Sequence, residues 1–229
     1  LDDVAFGAYG FNDSGSSSYM GAVYVALSSG TMDQRSIGAE RVEHILLGED
    51  SKHYAGYDIS KLGDVDEDGL ADFLVSALGY ESSTGGGGAV YLVLGSELID
   101  GRFSLGEIGT VFEGETIGDN AGRALAGVGD VDRDGIPDML IGAPSVDGAA
   151  ADAGQAYLML GADYPLNGGT VSLSSSSFVF SGIDDREVAG RQVVGGDFNG
   201  DGMHDFAIGA PDAGGTMGYR GHTYVFLAQ

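Results

Sequence analysis

The chain has no cysteine and no tryptophan, and its 229 residues include only 4 prolines and 10 basic side chains. Without cysteine there is no disulfide framework, no thiolate zinc site and no cysteine nucleophile. No apolar run approaches the roughly 18 residues that a membrane-spanning helix needs. The chain opens on Leu1-Asp2-Asp3 rather than a basic, apolar leader, so any secretion signal is expected upstream or already removed. The 10 bases face 35 acids, a net charge of −25. Such a surface repels nucleic acid and anionic lipid, so neither nucleic-acid binding nor membrane insertion is expected.

What is present is apolar enough to fold: 43% hydrophobic and 9% aromatic residues exclude a disordered chain. Glycine is abundant, with 42 copies, and 25 of the acids are Asp against 10 Glu. Solubility or a salty habitat accounts for an acidic surface. Neither favours Asp over Glu. Asp is the short carboxylate that fits tight turns and metal loops.

The chain repeats itself. Ala55-Gly56 leads to Gly63-Asp64-Val65-Asp66-Glu67-Asp68-Gly69-Leu70-Ala71-Asp72 and then Phe73 to Ala77. Ala121-Gly122 leads to Gly129-Asp130-Val131-Asp132-Arg133-Asp134-Gly135-Ile136-Pro137-Asp138 and on to Ala143-Pro144. Ala189-Gly190 leads to Gly196-Asp197-Phe198-Asn199-Gly200-Asp201-Gly202-Met203-His204-Asp205 and on to Ala210-Pro211. Successive copies are 66 and 67 residues apart, from Asp64 to Asp130 and from Asp130 to Asp197. In each, a tyrosine (Tyr91, Tyr157, Tyr224) follows the last Asp by 19 residues in an apolar run. A truncated copy opens the chain, with Asp3 to Ala8 matching Asp72 to Ala77 and Ala22 to Val25 matching the tyrosine run.

Within each unit, short runs rich in Val, Ile, Leu, Phe and Tyr are bounded by Gly, Ser, Asp and Pro, the signature of strands. No capped 3.6-residue stripe marks a helix. In the second full copy the strands are expected before Gly129, over 138–143, over 155–160 and near 177–180. A four-stranded antiparallel unit repeated in tandem reads as an all-β propeller, an arc of about 3.5 blades. The expected divisions of this single segment are 1–50 (partial blade), 51–116, 117–184 and 185–229 (partial blade). Gly85 to Gly88 and Gly168-Gly169 read as turns between strands.

The acidic loops read as calcium sites. A hard cation takes six to eight oxygens, and carboxylates at positions 1, 3 and 5 of a coiled loop can converge on one point. Glycine at position 6 permits the turn, the carbonyl of position 7 faces inward, and an Asp at position 9 closes the shell. The candidate ligands are Asp64, Asp66, Asp68, the Leu70 carbonyl and Asp72; Asp130, Asp132, Asp134, the Ile136 carbonyl and Asp138; and Asp197, Asn199, Asp201, the Met203 carbonyl and Asp205. Oxygen-only donors disfavour zinc and copper, and magnesium prefers an octahedral shell that keeps its waters. Three Ca²⁺ would offset 6 of the 25 negative charges. Because Asn199 replaces an Asp, the third site is expected to be the weakest. The bland alternative is a solvated, Asp-rich turn that binds nothing.

The combined pattern of Ala-Gly, Gly-Asp-x-Asp/Asn-x-Asp-Gly-x-x-Asp, Gly-Ala-Pro and a later Tyr resembles the FG-GAP repeat of integrin α-subunit propellers and their bacterial relatives. Residues 130–144 with Tyr157 and 197–211 with Tyr224 carry it, and 64–77 with Tyr91 carry a degraded form. The usual Phe-Gly is Ala-Gly here, and the first copy has Ala77-Leu78 for Ala-Pro, which weakens the link to animal integrins in particular. The resemblance implies that the acidic loop joins a blade's first two strands and binds calcium. An EF-hand is excluded because its twelfth-position Glu is replaced by Val75, Ile141 and Ile208.

No Gly-x-Ser-x-Gly, His-Glu-x-x-His or Walker motif is present, and the four histidines are scattered. Arg123 and Arg191 hold equivalent positions, which points to a repeated structural role. The reading is a non-catalytic, calcium-binding segment, extracellular or on the cell surface, that contacts a protein or glycan or associates with further blades. The alternatives are the non-catalytic propeller of a secreted hydrolase and a module of a surface layer or filament.

Overall fold

The computed structural model describes residues 3–12, 18–27, 44–81, 86–98, 100–213 and 221–228. Gly85, the first residue of the Gly85 to Gly88 turn, lies outside them. Sixteen short strands and a few one-turn 3-10 segments account for the regular structure, with no α-helix among the described residues.

The strands form four sheets. The first contains β1 (Val4–Gly7), β2 (Ala22–Ala26) and β3 (His44–Leu47). The second contains β4 (Ala55–Gly63), β5 (Asp72–Ala77), β6 (Ala89–Val93) and β8 (Thr110–Glu113). The third contains β9 (Ala124–Gly129), β10 (Asp138–Ala143), β11 (Gln155–Met159) and β13 (Phe178–Ser181). The fourth contains β14 (Gln192–Gly196), β15 (Asp205–Ala210) and β16 (His222–Phe226). Within each, neighbours in sequence pair antiparallel as a meander. The four strands expected in the second full copy are therefore β9, β10, β11 and β13.

The structure adds what the antiparallel expectation lacked. Between β6 and β8 the chain makes β7 (Gly101–Ser104), which runs parallel along the outer edge of β3 in the preceding sheet. Between β11 and β13 it makes β12 (Gly169–Ser172), parallel along β8. An outer edge left bare would expose a row of unpaired backbone groups, and these added strands cover it.

The central strands of the two complete sheets, flanked on both sides and covered on both faces, are the most buried; every residue of β6 and of β10 is buried. Core clusters bridge the sheets: Val75 and Tyr91 of the second join Val23 and Leu46 of the first, while Met139 and Tyr157 of the third join Phe112 of the second. The first strands lie side by side, with Asp58 Oδ2 accepting from Leu125 N at 2.9 Å and Ser60 Oγ from Gly127 N at 3.0 Å. Close approach also depends on glycine just before the third strand. Gly154 has φ +77, and a Cβ there would stand 2.3 Å from the Ala189 carbonyl oxygen; Gly88 has the same relation to Ala121.

Candidate metal centres

Each acidic loop joins the first and second strands of its unit at one end of the sheet. A register shift at the Asp138 end of the β9–β10 ladder marks where pairing gives way to the loop. Two residues of each loop are left-handed. Position 6 is glycine in all three, with φ +90 at Gly69, +95 at Gly135 and +85 at Gly202. Position 4 is also left-handed, at Glu67 (φ 58), Arg133 (φ 66) and Gly200 (φ 78). That feature escapes a reading of either of the first two loops alone, although the glycine of the third signals it.

The loop carboxylates organise the turn by accepting backbone N–H bonds. Asp130 Oδ1 accepts from Asp134 N at 3.0 Å and its Oδ2 from Gly135 N at 3.0 Å, while Asp134 Oδ1 accepts from Ile136 N at 2.8 Å. Asp64 and Asp68 repeat this toward Asp68 N, Gly69 N and Leu70 N. Asp197 and Asp201 repeat it toward Asp201 N, Gly202 N and Met203 N. Four such bonds onto the exposed Asp197, that from Gly202 N foremost, hold its carboxyl below the usual range.

The Asp at position 9 is different. Asp72, Asp138 and Asp205 are fully buried. Asp138 Oδ2 accepts from Val131 N, and its Oδ1 from Gly161 N just beyond β11, both at 2.7 Å. Asp72 does the same with Val65 N and Gly95 N, and Asp205 with Phe198 N and Ala228 N. Each therefore ties the start of its loop to the end of the third strand. The sequence reading gave these residues only a ligand's role. Burial, against the pull of those two bonds, pushes the Asp138 carboxyl up to about 6, with Asp132 and Asp134 adding repulsion. Asp72 is raised for the same reasons.

Asp64, Asp66 and Asp72 each bring a carboxylate oxygen within 4.8 Å of the others, and so do Asp130, Asp132 and Asp138. Asp68 and Asp134 share these loops but lie outside the two close sets. In the third loop Asn199 Nδ2 donates to Asp201 Oδ2 at 2.9 Å, an attraction that two carboxylates could not make. The Leu70, Ile136 and Met203 N–H groups are engaged with position 5, as above. Among the described residues no basic side chain forms an ion pair with any of these carboxylates. Oxygen-only donors, crowding without counter-charge and a raised buried carboxyl together fit a hard divalent cation.

A second repeated contact was absent from the sequence reading. The tyrosine of each third strand donates to a glutamate from the segment that enters the unit: Tyr91 to Glu49 at 2.5 Å, Tyr157 to Glu115 at 3.0 Å, and Tyr224 to Glu187. Burial opposes ionisation of Glu187, but bonds from Tyr224 and from the Asp184 and Ile183 N–H groups win and lower its pKa. Arg123 lies over the Tyr57 ring, 4.7 Å from its centroid, a packing role for that arginine.

Sheets of this design, repeated with an Asp-rich loop at the same corner, are the blades of a β-propeller. Residues 121–159 and 189–226 match the FG-GAP repeat model, so the chain carries FG-GAP repeats and belongs with the proteins built from them. The copy at 55–94 lies outside those matches. The chain is 36% identical to human integrin alpha-E over 175 residues, which is 72% of this chain and 14% of the integrin. It is 35% identical to phosphatidylinositol-glycan-specific phospholipase D of Rattus norvegicus over 171 residues, covering 72% of this chain and 20% of that enzyme. Integrin alpha-PS5 of Drosophila melanogaster is 29% identical over 190 residues. The chain thus spans a small part of each relative.

Proposed function

We propose that this segment is a calcium-stabilised, non-catalytic propeller arc that presents its loops to a protein or glycan ligand outside the cell. The observation that carries the reading is the pair of carboxylate triads at equivalent repeat positions, Asp64-Asp66-Asp72 and Asp130-Asp132-Asp138, each without a basic ion-pair partner among the described residues. The third loop would hold a third ion through Asp197, Asn199, Asp201, Asp205 and the Met203 carbonyl. When bound, calcium supplies positive charge and coordination, and no bond-making chemistry. The chain's own residues do the rest. Positions 1, 3 and 5 gather the loop, and position 9 anchors it to the third strand. Because cytosolic calcium is scarce, the reading places the segment in an extracellular or cell-surface protein; no helix of the described residues is long and apolar enough to cross a membrane.

Calorimetric titration of calcium into chelator-stripped protein tests this, with the melting temperature followed in parallel. Uptake near three ions per chain and a large rise in melting temperature are expected, since an ion at 100 times its Kd adds about 2.7 kcal/mol per site. No uptake, or uptake without thermal effect, would overturn the reading. The likeness to a phospholipase D favours one alternative, a repeat segment attached to a catalytic domain elsewhere in its protein. A hydrolase domain in the full-length chain would establish that second reading.

A further inference from the structure

Two thirteen-residue segments, 101–113 and 169–181, are each attached twice. The first starts with β7, parallel on β3 of the preceding sheet, with Gly101 opposite His44. It then buries Leu105 and ends with β8, antiparallel on β6 of its own sheet. The second starts with β12 on β8, with Gly169 opposite Thr110, buries Leu173, and ends with β13 on β11. Both read Gly-x-(Phe/Val)-Ser-Leu, and both begin their second strand nine residues after the glycine. Each is a staple across the seam between two adjacent blades.

The seam between the third and fourth sheets has no staple among the described residues. β13 and β16 occupy the places that β8 and β11 hold one seam earlier, yet no strand among the described residues pairs with their outer edges. The exposure follows. Thr110, Val111 and Phe112 of β8 are buried, whereas Phe178 is 55% and Val179 45% exposed in β13, and Val225 of β16 is 54% exposed. Between the two edges lies a cleft of about 270 Å³ lined by Phe180, Ile208, Tyr224 and Phe226. These hold the positions that Phe112, Ile141, Tyr157 and Met159 hold in the core cluster containing Leu173. The cleft is where a third staple leucine would sit.

We propose that the β13–β16 edge is a docking site for the staple of another FG-GAP repeat, an extended Gly-x-(Phe/Val)-Ser-Leu strand, a turn and a second apolar strand. Its glycine would lie opposite Phe178 and its serine opposite Ser181, continuing the parallel register of the two existing seams, while its last residue would lie opposite His222. Backbone pairing supplies attachment and the leucine supplies selectivity, as in other strand-addition modes. A second copy of this chain in the same fold cannot donate segment 101–113 or 169–181, because both are already engaged. The occupant is therefore a further repeat with its staple free. This deepens the partner reading above, resting on the blade geometry and not on calcium.

The probe is a fluorescein-labelled peptide of residues 169–181, which carries no charged side chain, followed by anisotropy against the full chain with and without calcium. Saturable binding is expected with Kd between about 10 µM and 1 mM, because ordering a free peptide offsets much of the contact energy. Replacing the peptide residue equivalent to Leu173 with Ser should weaken binding at least about tenfold. Hydrogen exchange should show new protection at 178–181 and 222–226, with 169–172 unchanged. No saturation at 1 mM, insensitivity to the leucine, or loss of protection at 169–172 through displacement of the chain's own staple would each refute the docking. Calcium uptake in the same samples reports separately on the reading above.

Discussion

Removing calcium should make this protein more stable in mild acid than at neutral pH, and Asp138 should account for a definable share of that. Its carboxyl is fully buried and pushed from 3.8 to about 6. Below about pH 4 both the folded and unfolded chains hold the proton, so the group contributes nothing. Between 4 and 6 only the folded chain holds it, and stability falls as pH rises; above 6 the loss is complete. A rise from 3.8 to about 6 corresponds to about 3 kcal/mol, and screening at the loop mouth reduces that to about 1–3 kcal/mol. Asp72, raised for the same cause, acts in the same direction. The assay is urea unfolding in calcium-free buffer at pH 4.5 and 7.5, followed by tyrosine fluorescence, since the chain has 11 tyrosines and no tryptophan. The Asp138→Asn variant separates this residue from the general repulsion of a chain at −25. It should shrink the difference between the two pH values by about 1–3 kcal/mol, at an acid-independent cost of about 1–3 kcal/mol for mispairing one of the Val131 and Gly161 N–H groups. An unchanged difference in the variant would refute the assignment. So would wild-type stability that rises from pH 4.5 to 7.5 without calcium.

Three further outcomes follow from single contacts. Gly154→Ala places a Cβ 2.3 Å from the Ala189 carbonyl oxygen at a left-handed position, and should lower the melting temperature by about 5–15 °C in calorimetry. Tyr157→Phe removes the bonds to Glu115 and Gln155, and should cost about 1–3 kcal/mol in urea unfolding with the m-value unchanged. Asn199→Asp exchanges a donor that now holds Asp201 for a fourth carboxylate. It should destabilise the calcium-free protein and tighten calcium uptake at the third loop at least severalfold, as read by calorimetric titration.

The blade strands were legible because the repeat multiplies weak local signals. A run such as Met139 to Ala143 is ambiguous alone, but three copies at 66- and 67-residue spacing fix its place between an acidic loop and a tyrosine strand. The loops were legible because Asp at alternate positions before glycine is a dense local pattern. The staple strands and the Glu–Tyr bonds were not. β7 and β12 are four residues each and pair with the sheet before their own, so nothing local distinguishes them from a turn. Their signal was present in register, as Gly-x-Phe-Ser-Leu at 101 and Gly-x-Val-Ser-Leu at 169, and needed the repeats to be aligned beyond the motif. The glutamates sit 42 residues before their tyrosines in two copies and 37 in the third, so even a fixed spacing fails to expose them.

Two scales of coupling meet at the position-9 aspartates. Within a blade, Asp138 joins Val131 at the start of the loop to Gly161 beyond the third strand, so a cation drawn to its carboxylate would tighten three strands at once. Between blades, coupling runs chiefly through groups other than the loop carboxylates: the staples, the Glu–Tyr bonds and the first-strand bonds from Leu125 N to Asp58 and from Gly127 N to Ser60. Calcium should therefore act mainly on the stability of each blade, while the order of blades is set by the staples. Such a division suits a nearest-neighbour array, in which units are stabilised separately and joined by interface terms. It also carries a testable corollary. Removing calcium should lower the melting temperature while leaving the docking of the 169–181 peptide intact at temperatures where the sheets persist, and loss of both together below the unfolding transition would show that loop and seam are one cooperative element.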